Sequence, residues 1–215
     1  LWASHTATSS DAAVKVAALP SAVPASYSIE VSQLAASQSL SSAVFANPAD
    51  LGSGTLTITR GGTSVDVVID PTQTSLQAVR DQINRAGAGV TAAIVQDSSG
   101  PLLVFTGTDT GAAHAVSISV SGATGALASL SYPGSLTERR AAVDAVYSIN
   151  NVPLSSPSNR LAGVLDGVDL TLSSVTTAPV QIDVVTDNEA LTKGIKDFVA
   201  ADNEINGFPA SQTRY

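Results

Sequence analysis

The sequence contains no sulfur: it has neither cysteine nor methionine. The lack of cysteine excludes a disulfide framework, thiolate chemistry and a cysteine-based zinc site. It is compatible with the cytoplasm and equally with an extracellular protein that is exported without disulfide formation. Aromatic residues are also scarce, at 4% against 44% hydrophobic residues. The core must therefore be built from valine, leucine, isoleucine and alanine.

Positive charge is the next shortage. The chain of 215 residues has 10 lysines and arginines against 18 aspartates and glutamates, which gives a net charge of −8. This balance argues against nucleic acid as a partner, because a protein needs a basic surface to neutralise phosphates. It also argues against binding to an anionic membrane. No apolar run reaches the roughly eighteen residues of a membrane span.

The start of the chain shows no secretory signal peptide, since no basic segment followed by an apolar one is present. The sequence begins with Leu1 and Trp2 rather than methionine, and it stops soon after an apparent helix. We expect it to be a fragment or a processed form of a longer protein.

Motifs of known catalytic chemistry are missing or incomplete. Asp109 lies in an Asp-Thr-Gly triplet, which presents one carboxylate of an aspartic protease, but that chemistry needs two such carboxylates sharing a proton. Only one copy exists, and a turn is the better interpretation. The two histidines, His5 and His114, lack metal-ligand spacing. We predict that the protein is not an enzyme and has no catalytic, cofactor or metal site.

Charged clusters have similarly plain interpretations. The acids lack calcium-loop spacing and are typical of turns and helix caps; they are Asp166, Asp169, Asp187 and Glu189. The basic pair Arg139-Arg140 is interpreted as a solvated face or the rim of an interface.

Residues 54–120 are the most regular part of the chain. Alternating runs at 55–59 and 65–69 flank Gly61-Gly62, which predicts a β-hairpin because glycine accepts positive φ at no steric cost. Further strands are predicted at 90–95, 102–106 and 116–120. We interpret this stretch as a small self-sufficient α+β module.

One helix is predicted inside this module. Thr74, with Gln77 three residues later, predicts a capping box, and Gly87 predicts the C-terminus. Apolar residues at helical spacing give the buried face; they are Leu76, Val79 and Ile83.

The flanking segments are predicted to be mostly strands. Alternation predicts strands near 12–18, 27–31, 144–149, 168–172 and 180–184. Residues 121–134 are interpreted as a linker, and 161–165 as a short helix. A final helix, capped at Thr186-Asp187, is predicted from the spacing of Leu191, Ile195, Phe198 and Val199.

The fold class predicted from these elements is α+β and β-rich. We expect two small domains, one inserted in the other. An outer discontinuous β-rich domain takes residues 10–45 and 140–187, and an inserted α+β domain takes 46–135. Residues 188–215 would begin a helical core domain.

Several segments resemble the family of bacterial flagellar filament cap proteins, hook-associated protein 2. The segment from Tyr27 to Ala35 is similar to the family's Tyr-x-Ile-x-Val-x-x-Leu-Ala pattern, and Phe198 to Asn203 is similar to its Phe-Val-x-x-Tyr-Asn. Segments around 54–58, 76–86, 89–92 and 102–111 resemble the module shared by flagellins and cap proteins. Asp202 departs from the pattern, which commonly has tyrosine there.

The resemblance implies a structural function. It implies an extracellular protein at the flagellum tip, exported by the flagellar type III route, that forms a homo-oligomeric ring and promotes flagellin assembly and filament elongation. The two domains would be the outward head, because the family's terminal coiled-coil segments are missing from this sequence. The alternative is a surface adhesin head that binds mucin or host glycans.

Overall fold

The computed structural model describes residues 5–187, 192–200, 202 and 203. These residues form a β-rich α+β fold, which confirms the predicted class. One α-helix, α1, spans Leu76–Arg85, short 3-10 helices span Ala112–His114 and Gly125–Leu130, and residues 192–200 and 202–203 are also helical. The strands of the described part are, in chain order, β1 (His5–Ser9), β2 (Val14–Ala18), β3 (Ala25–Gln33), β4 (Ser39–Ser41), β5 (Gly54–Arg60), β6 (Thr63–Ile69), β7 (Val90–Asp97), β8 (Gly100–Gly107), β9 (Val116–Ser121), β10 (Thr137–Arg140), β11 (Ala145–Ile149), β12 (Val152–Ser156), β13 (Arg160–Leu165), β14 (Val168–Leu172) and β15 (Val180–Thr186).

The chain divides into two compact units, of which the first takes its residues from Leu1–Glu30, Ser148–Val152 and Arg160–Tyr215. In this unit β14 lies between β13 and β2, and β15 lies between β1 and β3. Alternate side chains of the central strands are buried, as period-two patterning predicts; they are Val168, Leu170, Leu172, Val180, Ile182 and Val184.

The turn between β11 and β12 is made by Asn150 and Asn151, which both have positive φ, at 50° and 64°. Asparagine tolerates this conformation better than most residues. Asn150 also makes two hydrogen bonds to Ser28. Its N–H donates to the Ser28 carbonyl (2.8 Å) and its side-chain oxygen accepts from the Ser28 N–H (2.9 Å).

The second unit comprises Val31–Tyr147 and Pro153–Asn159. It contains a four-stranded sheet of order β10-β4-β8-β7, a three-stranded sheet of order β6-β5-β9, and α1. One continuous apolar core joins these elements. It includes the predicted helix face, Leu76, Val79 and Ile83, together with Phe45. In the first unit, Tyr27 is only half-buried.

The hairpin of β5 and β6 forms as predicted. Its strands pair in register from Gly54 with Ile69 to Arg60 with Thr63. Gly61 and Gly62 complete the turn with φ of 55° and 80°.

The N-cap of α1 is one residue later than predicted. Ser75, not Thr74, has the extended cap conformation, and its side chain accepts a hydrogen bond from the Ala78 N–H. Both residues can cap a helix, so the local pattern left the choice open. The predicted C-terminal signal holds, because Gly87 follows the helix with a φ of 62°.

Two other predictions of local structure are wrong, and one strand, β1, was not predicted. Residues 161–165 form the strand β13 instead of a helix, since they pair with β14. Residues 125–130, placed in a linker, form a 3-10 helix whose leucines, Leu127 and Leu130, are fully buried in the core. The polar stretch at the N-terminus contains β1, which pairs with β15 from His5–Thr186 to Ser9–Ile182.

Candidate assembly surfaces

The C-terminal helix carries three exposed apolar side chains. Ile195, Phe198 and Val199 are 58%, 73% and 49% exposed. Their spacing of three and four residues places them on one face of the helix. Leu191, the fourth residue of the predicted stripe, lies outside the described residues. A helix with an uncovered apolar stripe is suited to pack against another helix.

A cleft of about 260 Å³ lies in the second unit, between the β5–β6 turn, the segment after α1 and the 3-10 helix that ends at His114. Arg60 forms one wall, and Gly89 forms part of another. A Cβ on residue 89 would collide with the Arg60 guanidinium. Glycine at 89 therefore leaves the space that the arginine side chain occupies.

The geometry of Asp109 opposes a protease function. Its carboxylate forms an ion pair with Arg60, which also donates to the Thr108 hydroxyl at 3.4 Å. An aspartic protease instead holds two carboxylates that share a proton. Asp109 thus anchors the turn after β8, as the plain interpretation of the triplet predicts.

The other singled-out histidines and acids that the structure describes lie in different elements or turns of the fold. His5 lies in β1 and His114 in the 3-10 helix beside the cleft. Asp169 lies 3.7 Å from Arg160 across β13 and β14. Within the described residues, no three histidine or acidic side chains gather closely enough to hold a metal ion. Trp2 and Glu189 lie outside the described residues.

No helix in the described part of the chain has the length and apolar character needed to cross a membrane.

Two carboxylates are stabilised in their charged form by local hydrogen bonds. The hydroxyl and N–H of Thr72 donate to Asp70 at 2.6 and 2.8 Å, and they lower the pKa of that carboxyl. Donation from the Thr74 side chain and the Gly52 N–H lowers the pKa of Asp50. In their charged form, both aspartates therefore stabilise the turns that precede α1.

A buried polar network, which the sequence did not reveal, joins distant segments of the second unit. Gln38 is only 3% exposed; its amide donates to Glu138 at 2.6 Å and its carbonyl accepts from the Val116 N–H at 2.6 Å. Burial, and then the neighbouring Glu138, raises the pKa of Tyr132. The network fixes the positions of β9 and β10 relative to the segment before β4.

Two asparagines also bind main-chain groups far away in sequence. The Asn84 side chain accepts from the Ala92 N–H (2.7 Å) and donates to the Ala92 carbonyl (2.9 Å). Asn159 binds both main-chain groups of Ala35 in the same way, at 2.7 and 2.9 Å. Only the resemblance of these segments to a known family could have drawn attention to Asn84 and Ala35.

Comparisons with known proteins agree with this architecture. The family model of the flagellar hook-associated protein 2 C-terminus matches residues 142–215. The model of the flagellin hook IN motif matches residues 55–109, which include β5, β6, α1, β7 and β8.

Curated relatives match nearly the whole chain. The B-type flagellar hook-associated protein 2 of Pseudomonas aeruginosa is 31% identical over 93% of this chain and 47% of its own length. The flagellar hook-associated protein 2 of Escherichia coli K12 is 31% identical over 100% of this chain and 48% of its own length. The chain thus spans about half the length of these relatives.

Solved structures match both sequence and fold. The D2-D3 domains of the flagellar cap protein FliD from Escherichia coli give a TM-score of 0.79 at 30% identity, covering 86% of this chain and 100% of that one. FliD (HAP2) from Pseudomonas aeruginosa PAO1 gives 0.85 at 30% identity, covering 95% and 98%. The chain therefore belongs to the flagellar hook-associated protein 2 (FliD) family of flagellar cap proteins.

Proposed function

We propose that this chain is the head of a flagellar filament cap, which forms a ring at the distal tip and promotes flagellin assembly and filament elongation. The observation that carries the proposal is the match to the D2-D3 domains of the Escherichia coli cap protein over the whole of that chain. The match of residues 55–109 to a flagellin motif supports flagellin as a partner. The role is structural and non-enzymatic, and the location is extracellular, reached by the flagellar type III route.

The domain plan belongs to the same proposal. In this plan, residues 10–45 and 140–187 are the outer β-rich domain, 46–135 the inserted α+β domain, and 188–215 the start of the helical core domain. The compact units of the fold have other boundaries, since residues 31–45 and 136–147 group with the second unit. The exposed apolar stripe of Ile195, Phe198 and Val199 supports the last point, because such a face needs a partner in the longer protein.

The test uses the full-length protein in cells that lack their own cap protein. The intact protein should restore long filaments and swimming. The double variant Ile195→Ser/Phe198→Ser should reduce both, because it removes apolar surface from the helix stripe. Val68→Ser is the matched control, since Val68 is 69% exposed on β6 and lies away from that helix in sequence.

Electron microscopy of filament length and light scattering of the purified rings measure the outcome. Failure of the intact protein to restore filaments would contradict the cap function. Full activity of the helix variant would contradict only the role given to the stripe. The adhesin alternative remains a hypothesis from the sequence, which binding of the purified chain to immobilised mucin would test.

A further inference from the structure

Arg139 and Arg140 are adjacent in sequence and lie on the same face of a sheet. The register of pairing between β10 and β4 shifts by one residue, because Glu138 pairs with Leu40 whereas Arg140 pairs with Ser39. Such a β-bulge inserts an extra residue and redirects side chains that would otherwise alternate. Glu138 binds the buried Gln38 on one face, whereas both arginines reach serines on the other.

Serine oxygens hold the two guanidinium groups in place. The Nε of Arg139 donates to the Ser41 hydroxyl at 2.7 Å. Arg140 donates to Ser37 twice, from Nε to the carbonyl at 2.8 Å and from Nη2 to the hydroxyl at 3.0 Å. Neither arginine has a carboxylate partner within the described residues, whereas Arg60 and Arg160 do. The pair is thus positioned by neutral groups and keeps its charge uncompensated.

The neighbouring strands extend this surface with small and apolar side chains. Ser41 pairs with Val104 of β8, which pairs in turn with Ala93 of β7. One rung further along, Leu102 pairs with Val95, which is 43% exposed. The alternate residues Leu103 and Phe105 face the core, so this row faces away from it. We call this surface, Arg139 and Arg140 together with Ala93, Val95, Leu102 and Val104, the arginine face.

We propose that the arginine face binds an acidic surface on a second copy of this chain. Each copy has a net charge of −8, with 18 acidic residues against 10 basic ones. Because acidic residues outnumber basic ones, a pair of positive charges beside apolar side chains is suited to bind an acidic surface on another copy. Guanidinium groups bind carboxylates through paired hydrogen bonds, and prior fixation by the serines lowers the entropy lost on binding. A head-to-tail contact of this kind uses two different surfaces, as ring closure requires.

This inference rests on the proposed function, because it assigns one contact between neighbouring subunits of the ring. The test compares the parent 215-residue chain with Arg139→Gln/Arg140→Gln. The control is Arg80→Gln/Arg85→Gln, which also removes two positive charges, but from α1. Sedimentation equilibrium covers about 10 µM to 1 mM, the range of a weak contact. Circular dichroism establishes that all three chains are folded.

We expect the parent to associate weakly, the arginine-face variant to associate about tenfold less tightly or worse, and the control to change by less than about twofold. Equal association of all three, or none by the parent across the range, overturns the proposal. The proposal would also be overturned if the arginine-face variant associated as tightly as the parent but was no longer retained on a sulfated polysaccharide column. That result would favour an anionic glycan as the ligand. Expression of the full-length variants in cells without a cap protein distinguishes failure of this contact from failure of the cap function. If the arginine-face variant gives normal filaments and its association is unchanged, the contact is rejected and the cap function stands.

Discussion

Asn84 joins the end of α1 to the strand β7 through a single side chain. Its amide satisfies both main-chain groups of Ala92, on the strand at the edge of the four-stranded sheet. These two hydrogen bonds replace the pair that a neighbouring strand would make with Ala92. The helix and the edge strand are therefore coupled by two hydrogen bonds rather than by apolar contact alone.

Replacement of Asn84 should be costly for a partly exposed residue. We expect Asn84→Ala to lower the free energy of unfolding by about 1–3 kcal/mol, because both Ala92 groups lose their partners. Asn84→Asp keeps the acceptor but not the donor. Urea unfolding measures the loss, and hydrogen exchange should show faster exchange at the Ala92 amide. Asn47→Ala is the control, since Asn47 makes only a long local bond to the Ala49 N–H at 3.3 Å; an equal loss there would refute the coupling.

The N-cap of α1 gives a second prediction for a single residue. Ser75→Ala should lower the free energy of unfolding by about 1 kcal/mol, because the Ala78 N–H loses its acceptor. Ser119→Ala, on an exposed position of β9, should change it by less than about 0.5 kcal/mol. Thermal unfolding of the two variants decides the matter, and indistinguishable curves would show that the cap contributes nothing.

Among the elements, β4 and β10 complete the second unit from outside residues 54–120. The segment before β4 and the segment after β10 are joined at Ala36 and Val143, which exchange two main-chain hydrogen bonds, of 2.9 and 3.1 Å. The core also takes side chains from beyond the module that the sequence analysis outlined; they are Leu40, Phe45, Leu51, Leu127, Leu130 and Leu136. The module is therefore less self-sufficient than its sequence pattern indicates.

A series of fragments tests how far the inserted domain extends. We expect the midpoint of thermal unfolding to rise from residues 54–120 to 46–135 and again to 36–143, because each step adds buried leucines or phenylalanine to the core. The shortest fragment should lack a cooperative transition. Equal midpoints for the two longer fragments would instead show that 46–135 is complete.

The success of sequence-based prediction differed between elements for physical reasons. Strands β5 to β9 and α1 were predicted because their periodicity and turn residues are local signals. In β13, Leu161, Val164 and Leu165 have helical spacing, and only the partner β14 makes the segment a strand. The polar β1 owes its conformation to β15, far along the chain. The arginine face was out of reach for the same reason, since its bulge depends on the register with β4.

At the scale of the whole molecule, carboxylates that accept hydrogen bonds in the folded chain make stability depend on pH. The pKa values of Asp50 and Asp70 are lowered in the folded chain. Their hydrogen bonds therefore stabilise the fold above the ordinary carboxyl pKa of about 4, and this contribution is lost as the pH falls through the lower folded values.

We accordingly expect the free energy of unfolding to decrease as the pH is lowered from about 5 towards 2. Asp70→Asn should make this decrease shallower, because it removes one carboxylate whose protonation opposes folding. Thr72→Val should act in the same direction by removing the hydroxyl donor to Asp70. Urea titrations at several pH values provide the measurement, and slopes identical to the parent's would rule out this source of acid sensitivity.

The bulge in β10 has one more consequence, which concerns aggregation. In the described structure β10 is an outermost strand of its sheet, and an open strand edge is a template on which another chain can add a strand. The shifted pairing interrupts the regular spacing of its backbone groups, and two neighbouring positive charges repel the same strand of another copy. We therefore expect the irregular β10 to disfavour edge-to-edge strand pairing between copies of this chain.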